Sequence, residues 1–116
     1  MITSQTINSA TDTTLYTSTG ENAITVMIFC NTGTVVDSNE NTNAVKLWLH
    51  VISSGSTVGD SFAIVKNLTI PPGETVFFDT ERLVLGNGQF ISGRLLATNG
   101  NGSITATIST LAVWNI

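Results

Sequence analysis

Between Ala44 and Ser53 the side chains alternate with a period of two. Val45, Leu47, Leu49 and Val51 share one face of an extended segment, opposite Lys46, Trp48, His50 and Ile52. Only a β-strand with one face toward an apolar interior satisfies that pattern. Short segments of the same kind recur along the 116 residues, each closed by turn chemistry, and no stretch of useful length carries a helical period. A chain this long is one domain that can bury a core without disulfide or metal staples. The expected fold is all-β: an antiparallel β-sandwich of about seven or eight strands, of immunoglobulin-like or jelly-roll type.

The turn residues divide the chain. Residues 1–14 are polar and weakly patterned, either a frayed end or an arm that orders against a neighbouring subunit; the sandwich domain is expected over residues 15–116. A first strand spans Leu15 to Thr17. In Ala23–Cys30, simple alternation puts Ile24, Val26, Ile28 and Cys30 on one face and Met27 and Phe29 on the other. The strand within Asp60–Ile70 carries an irregularity near Lys66-Asn67. Pro71-Pro-Gly-Glu74 reads as a type II turn, with Pro72 presetting φ and Gly73 taking the positive-φ position. Strands follow at Thr75–Asp79 and Gln89–Thr98, the second holding Gly93 as a bulge or a close backbone approach. Asn99-Gly-Asn-Gly102 is a hairpin signal. From Ile104 the alternation is clean, but its phase changes after Thr110. Either a bulge near Thr110 or burial of Leu111 to Trp114 on both faces would account for that change.

Charge narrows the partners. Only 10% of residues are charged, the net charge is −4, and polarity comes from Thr, Ser and Asn. Such groups enter an interface without the desolvation cost of a Lys or Glu. Lys46, Lys66, Arg82 and Arg94 are scattered in sequence with no basic run, which argues against nucleic acid. No apolar run approaches the ~20 residues of a membrane helix, and no Sec-type leader opens the chain, so no membrane is expected.

Catalytic and metal chemistry lack the necessary groupings. Cys30 lies in an apolar strand pattern and reads as a buried, inert thiol rather than the nucleophile of a Cys30–His50 pair. No G-x-S-x-G elbow is present, and zinc would need clustered ligands that the chain lacks. Asp37-Ser-Asn-Glu-Asn41 begins like a calcium loop, then fails at Thr42 and Trp48, where Gly and Glu are required. No cofactor is expected. Trp48, Trp114 and Tyr16 are the residues a glycan platform would use, and packing against protein is the preferred reading of them. The candidate interface is Trp48, His50, Ile52, Leu111, Val113 and Trp114.

Residues 23–113 carry four segments in a familiar order: Phe29-Cys-Asn31-Thr-Gly33, Val45-Lys-Leu-Trp-Leu49, Leu68-Thr-Ile-Pro-Pro-Gly73-Glu74, and Leu83-Val-Leu-Gly-Asn-Gly88. This organisation resembles short virion structural proteins of tailed bacteriophages, with Asn87 where Asp is usual. The resemblance implies a non-enzymatic subunit of a phage particle, made in the host cytoplasm. A capsid decoration or accessory role comes first, and a tail, neck or baseplate position second. Implied partners are other virion subunits and further copies of the chain. A carbohydrate- or receptor-binding module is the competing class.

Overall fold

The computed structural model describes residues 1–8, 11–35, 43–53, 56, 59, 62–97 and 102–113, without the side chains of residues 79–82 and 97. Its strands are β1 (Ile2–Ile7), β2 (Thr13–Thr17), β3 (Asn22–Asn31), β4 (Val45–Ile52), β5 (Ala63–Ile70), β6 (Thr75–Leu85), β7 (Phe90–Ala97) and β8 (Ile104–Ala112). They form two four-stranded antiparallel sheets, ordered β1-β8-β3-β6 and β2-β7-β4-β5. First pairs with eighth, second with seventh, third with sixth and fourth with fifth. That is one long hairpin rolled up, closed by the β3–β8 and β4–β7 ladders. Such an order is a jelly roll rather than the seven-stranded immunoglobulin arrangement.

The segment expected as a polar arm over residues 1–14 is built into the sandwich. Ile2–Ile7 is an edge strand along β8, and Ile7 is fully buried in the core. The Met1 amino group donates to the Thr110 carbonyl (2.8 Å), and the Thr110 N–H donates back to the Met1 carbonyl (2.7 Å). The alternation of Ile2–Ile7 is faint because this edge strand buries Ile7 fully and Thr3 in part and leaves the rest open to water.

The interior face of β4 is as its alternation requires: Val45, Leu47 and Leu49 are buried, with Val51 packed against them. The faces of β3 differ from simple alternation. Ile24 pairs with Thr110 and Leu83, while Val26 pairs with Ser109 and Asp79, so Thr25 is an extra residue without a rung. One inserted residue exchanges the faces of everything beyond it. Ile24 therefore joins Met27 and Phe29 in the core, and Val26, Ile28 and Cys30 turn outward, half-buried. The irregularity sensed at Thr110 is this bulge, carried by the partner strand. Leu111 and Ala112 are exposed, so the end of β8 is not covered on both faces.

Other turn chemistry is where the residues put it. The Glu74 N–H bonds the Pro71 carbonyl (3.2 Å) with Gly73 at φ 80°. Across from Trp48, β5 carries one residue more than β4 at Lys66-Asn67, and Asn67 takes φ 58°. Residues 99–101 of the expected hairpin turn lie outside the described residues.

Asn31 closes one end of the sandwich. Its side chain is fully buried, and Nδ2 donates to the Asn43 and Ile70 carbonyls (2.9 and 2.8 Å). Its Oδ1 accepts from the Gly33 N–H (2.8 Å), and its own carbonyl accepts from Gly73 (2.8 Å). Three connections converge on one amide. Asn87 does a smaller version of this at the other end, its Oδ1 accepting from the Gly20 N–H (2.9 Å). An aspartate oxygen would fill that role equally, so Asn87 in place of Asp leaves the turn intact.

Candidate functional site: the two outer faces

The roll leaves each sheet with one face to the interior and one outward, and the candidate residues divide between the two outer faces. On the outside of β1-β8-β3-β6 the ladders align three rows. These are Ile2-Ser109-Val26-Asp79, Ser4-Thr107-Ile28-Phe77 and Thr6-Thr105-Cys30-Thr75, with Leu111-Ala23-Val84 beyond the bulge. Ile2 is 70% exposed, Phe77 67%, Leu111 61% and Val84 50%. Among the described residues, half of the eight large hydrophobic side chains that are exposed thus stand on one face. The side chains between them are Thr, Ser, Ala and half-buried aliphatics, and none of the described side chains on this face is charged. Phe77 lies outward because its neighbours Val76 and Phe78 pack inward, Phe78 edge-on to Phe29 at 5.7 Å.

Cys30 belongs to this outer face and is partly exposed, which corrects its reading as a buried thiol. The Thr25 bulge is the reason. His50 stands on the outer side of the other sheet, so the sandwich separates the two side chains and they form no pair.

The outside of β2-β7-β4-β5 has a different character. Along β4 the outward residues Lys46, Trp48, His50 and Ile52 pair with Leu96, Arg94, Ser92 and Phe90 of β7. Arg94 lies over the Trp48 ring, its Cζ 4.3 Å from the centroid, and Lys66 reaches the same ring from β5 with Nζ at 5.2 Å. Two of the four basic residues, remote in sequence, meet at one half-buried indole, and Lys46 stands on the same outward side of β4. Trp48 Nε1 and Arg94 Nε are buried without hydrogen-bond partners. The positions over the ring that a neutral sugar would use are held by cations. Tyr16 packs against the core, and Trp114 lies outside the described residues.

His50 and Ile52 are on the expected side of β4 but fully buried, so neither presents a free surface. Neither His50 ring nitrogen has a hydrogen-bond partner, and Asp12 Oδ1 stands 3.9 Å from Nδ1, beyond hydrogen-bond range. A buried polar group left unpaired costs about 1–3 kcal/mol. His50→Leu, similar in volume, is therefore expected to stabilise the fold by about 1 kcal/mol, read as a higher urea midpoint at unchanged slope. A loss of stability instead would show that the imidazole makes a bond in the folded protein. Of the remaining candidates, Leu111 is exposed and Val113 half-buried.

The calcium-like residues 37–41 lie outside the described residues, and among the described ones no three His, Cys, Asp or Glu side chains gather as a metal site. No described helix is long and apolar enough to cross a membrane. Comparison of the chain with protein-family models, curated proteins and solved structures returns no match.

Proposed function

We propose that this chain is a non-enzymatic structural subunit of a tailed-phage virion, a capsid decoration or accessory protein that assembles through protein–protein contacts. The observation that carries the reading is the face that exposes Ile2, Phe77, Val84 and Leu111, with no charge among its described side chains. Large apolar side chains gathered on one exposed face, rather than scattered singly, are what an interaction surface presents. Its occupant is a second copy of the chain. A protein of net charge −4 meets itself here without bringing described like charges together, as an isologous contact requires. The jelly roll hosts capsid proteins and lectins alike, so the fold adds no weight to either. The phage-like segments supply the virion context, and the capsid is preferred to tail, neck or baseplate on that resemblance alone.

Sedimentation velocity tests the contact. Phe77→Ser with Leu111→Ser should leave the circular dichroism spectrum unchanged and weaken self-association about thirtyfold or more, the ~2 kcal/mol of an interface anchor. Association equal to wild type in the variant, or a strictly monomeric wild type, would overturn it. Crosslinking mass spectrometry on purified particles tests the location, and absence of the chain from virions would sink that part. Glycan retention abolished by Trp48→Ala, with folding and association untouched, would favour the carbohydrate-binding class.

A further inference from the structure

The four edges of the two sheets are not alike. Edge strands are ordinarily blunted by charge, irregular backbone or short length, because their unpaired N–H and C=O groups template further pairing. β6 breaks register between its Asp79 and Leu83 rungs, and its sequence there holds Asp79, Glu81 and Arg82. β5 breaks register twice along β4, takes a positive φ at Asn67 and carries Lys66. β2 has five residues and a break between Thr14 and Tyr16. β1 has none of these devices. Its six residues, Ile2-Thr-Ser-Gln-Thr-Ile7, hold an unbroken register with β8 and include no charge, Gly or Pro.

The direction of the β1 backbone follows from its first rung. Met1 and Thr110 exchange both N–H···O=C bonds, which makes them a hydrogen-bonded pair of the antiparallel ladder. Alternation then turns the N–H and C=O of Thr3, Gln5 and Ile7 toward β8, and those of Ile2, Ser4 and Thr6 toward the open side. Among the described residues no strand lies beyond β1 in its sheet, and Ile2, Ser4 and Thr6 are exposed. We propose that this edge pairs with β1 of a second copy of the chain, antiparallel, about a two-fold axis through Ser4. In that register Ile2 meets Thr6 of the other copy, Ser4 meets Ser4, and Thr6 meets Ile2. Every outward N–H and C=O of Ile2–Ile7 then has a partner, and no other two-fold register within the strand achieves this. Self-complementarity selects the occupant, because an isologous contact maps a patch onto itself. Two copies of net charge −4 also bring no charged side chain together along this edge. Pairing in this way joins two four-stranded sheets into one, with both apolar outer faces on the same side. The proposal rests on the assembly reading but uses a different contact, so each can fail alone.

The experiment is sedimentation velocity on the Phe77→Ser, Leu111→Ser variant, whose apolar face is disabled, and on further substitutions made in it. This parent variant should still form dimers at high concentration. Ser4→Pro removes an N–H that points away from β8, at the cost of an exposed Ser4–Thr107 hydroxyl contact. It should weaken the dimer about tenfold or more with the circular dichroism spectrum unchanged. Ser4→Lys and Ser4→Glu each set like charges opposite one another on the axis and should be monomeric alone, whereas their equimolar mixture should dimerise. Amide exchange at Ser4 and Thr6 of the parent variant should slow as concentration rises. A strictly monomeric parent variant overturns the edge contact and leaves the face contact standing. Dimers that survive Ser4→Pro, or Lys and Glu variants that stay apart on mixing, overturn it as well. Protection of Ser4 and Thr6 that is independent of concentration also overturns it, since the edge is then covered within one copy. Wild type that associates no more strongly than the parent variant overturns the face contact alone.

Discussion

Asn31→Ala is expected to destabilise the protein by about 2 kcal/mol or more, because it removes at once the side-chain bonds to one buried and two part-buried backbone groups. The Asn43 and Ile70 carbonyls lose the Nδ2 donor, and the Gly33 N–H loses the Oδ1 acceptor. Each such loss costs about 1–3 kcal/mol when water cannot replace the partner, and the three are coupled rather than additive. Against a typical total stability of about 5–15 kcal/mol, this is a large fraction. Asn31→Asp should be no milder. It keeps an acceptor for Gly33 but turns a second oxygen toward two carbonyls. Urea unfolding of both variants would show lower midpoints at similar slope. A loss below about 1 kcal/mol in Asn31→Ala would mean that the three connections are held by their own backbone bonds.

Gly93→Val is expected to cost about 3 kcal/mol, at the upper end of what overpacking a β-core does. A Cβ at this position would stand 2.9 Å from Ile7 Cδ1, 3.2 Å from Leu15 Cδ1 and 3.3 Å from Leu49 Cδ2. Ile7 comes from the opposite sheet, so the missing side chain is what lets the sheets close over it. Gly93→Ala is a different case. The nearest atoms are the tips of flexible side chains, and an added Cβ recovers strand propensity, so its change should lie within about 1 kcal/mol of zero. Thermal unfolding of the pair separates the accounts. Equal destabilisation by Ala and Val would point to the backbone, and no destabilisation by Val would point to a loose core.

These two residues show how far local reading goes. Gly93 is recognisable in the sequence as a bulge or a close approach, and the packing of Ile7, Leu15 and Leu49 around it makes it the second. Which atoms approach it depends on Ile7, in a segment whose pattern is too weak to announce a strand. Asn31 stands out only through the phage-like Phe29-to-Gly33 segment. Its burial and its partners at Asn43, Ile70 and Gly73 come from distant parts of the chain. The core face of β4 and the turn at Pro71–Glu74 were legible in full. Each rests on neighbours one to three residues away.

Period-two alternation and turn residues determined the all-β class, most strand positions, the β4 core face and an irregularity near Lys66-Asn67. These follow from φ preferences and from which side of a pleat must avoid water, both local quantities. Tertiary structure alone decided the jelly-roll order, the place of Ile2–Ile7 along β8, and the bulge at Thr25 that sends Ile24 inward and Cys30 outward. It also decided what the two surfaces are. Residues 66 and 94 are remote in sequence, and only the β5-β4-β7 ladders bring their charges onto the Trp48 indole. Ile2, Phe77, Val84 and Leu111 become a face only because β1, β6 and β8 lie in one sheet. A side chain's neighbours across strands are set by pairing and register, and these depend on the whole chain closing on itself.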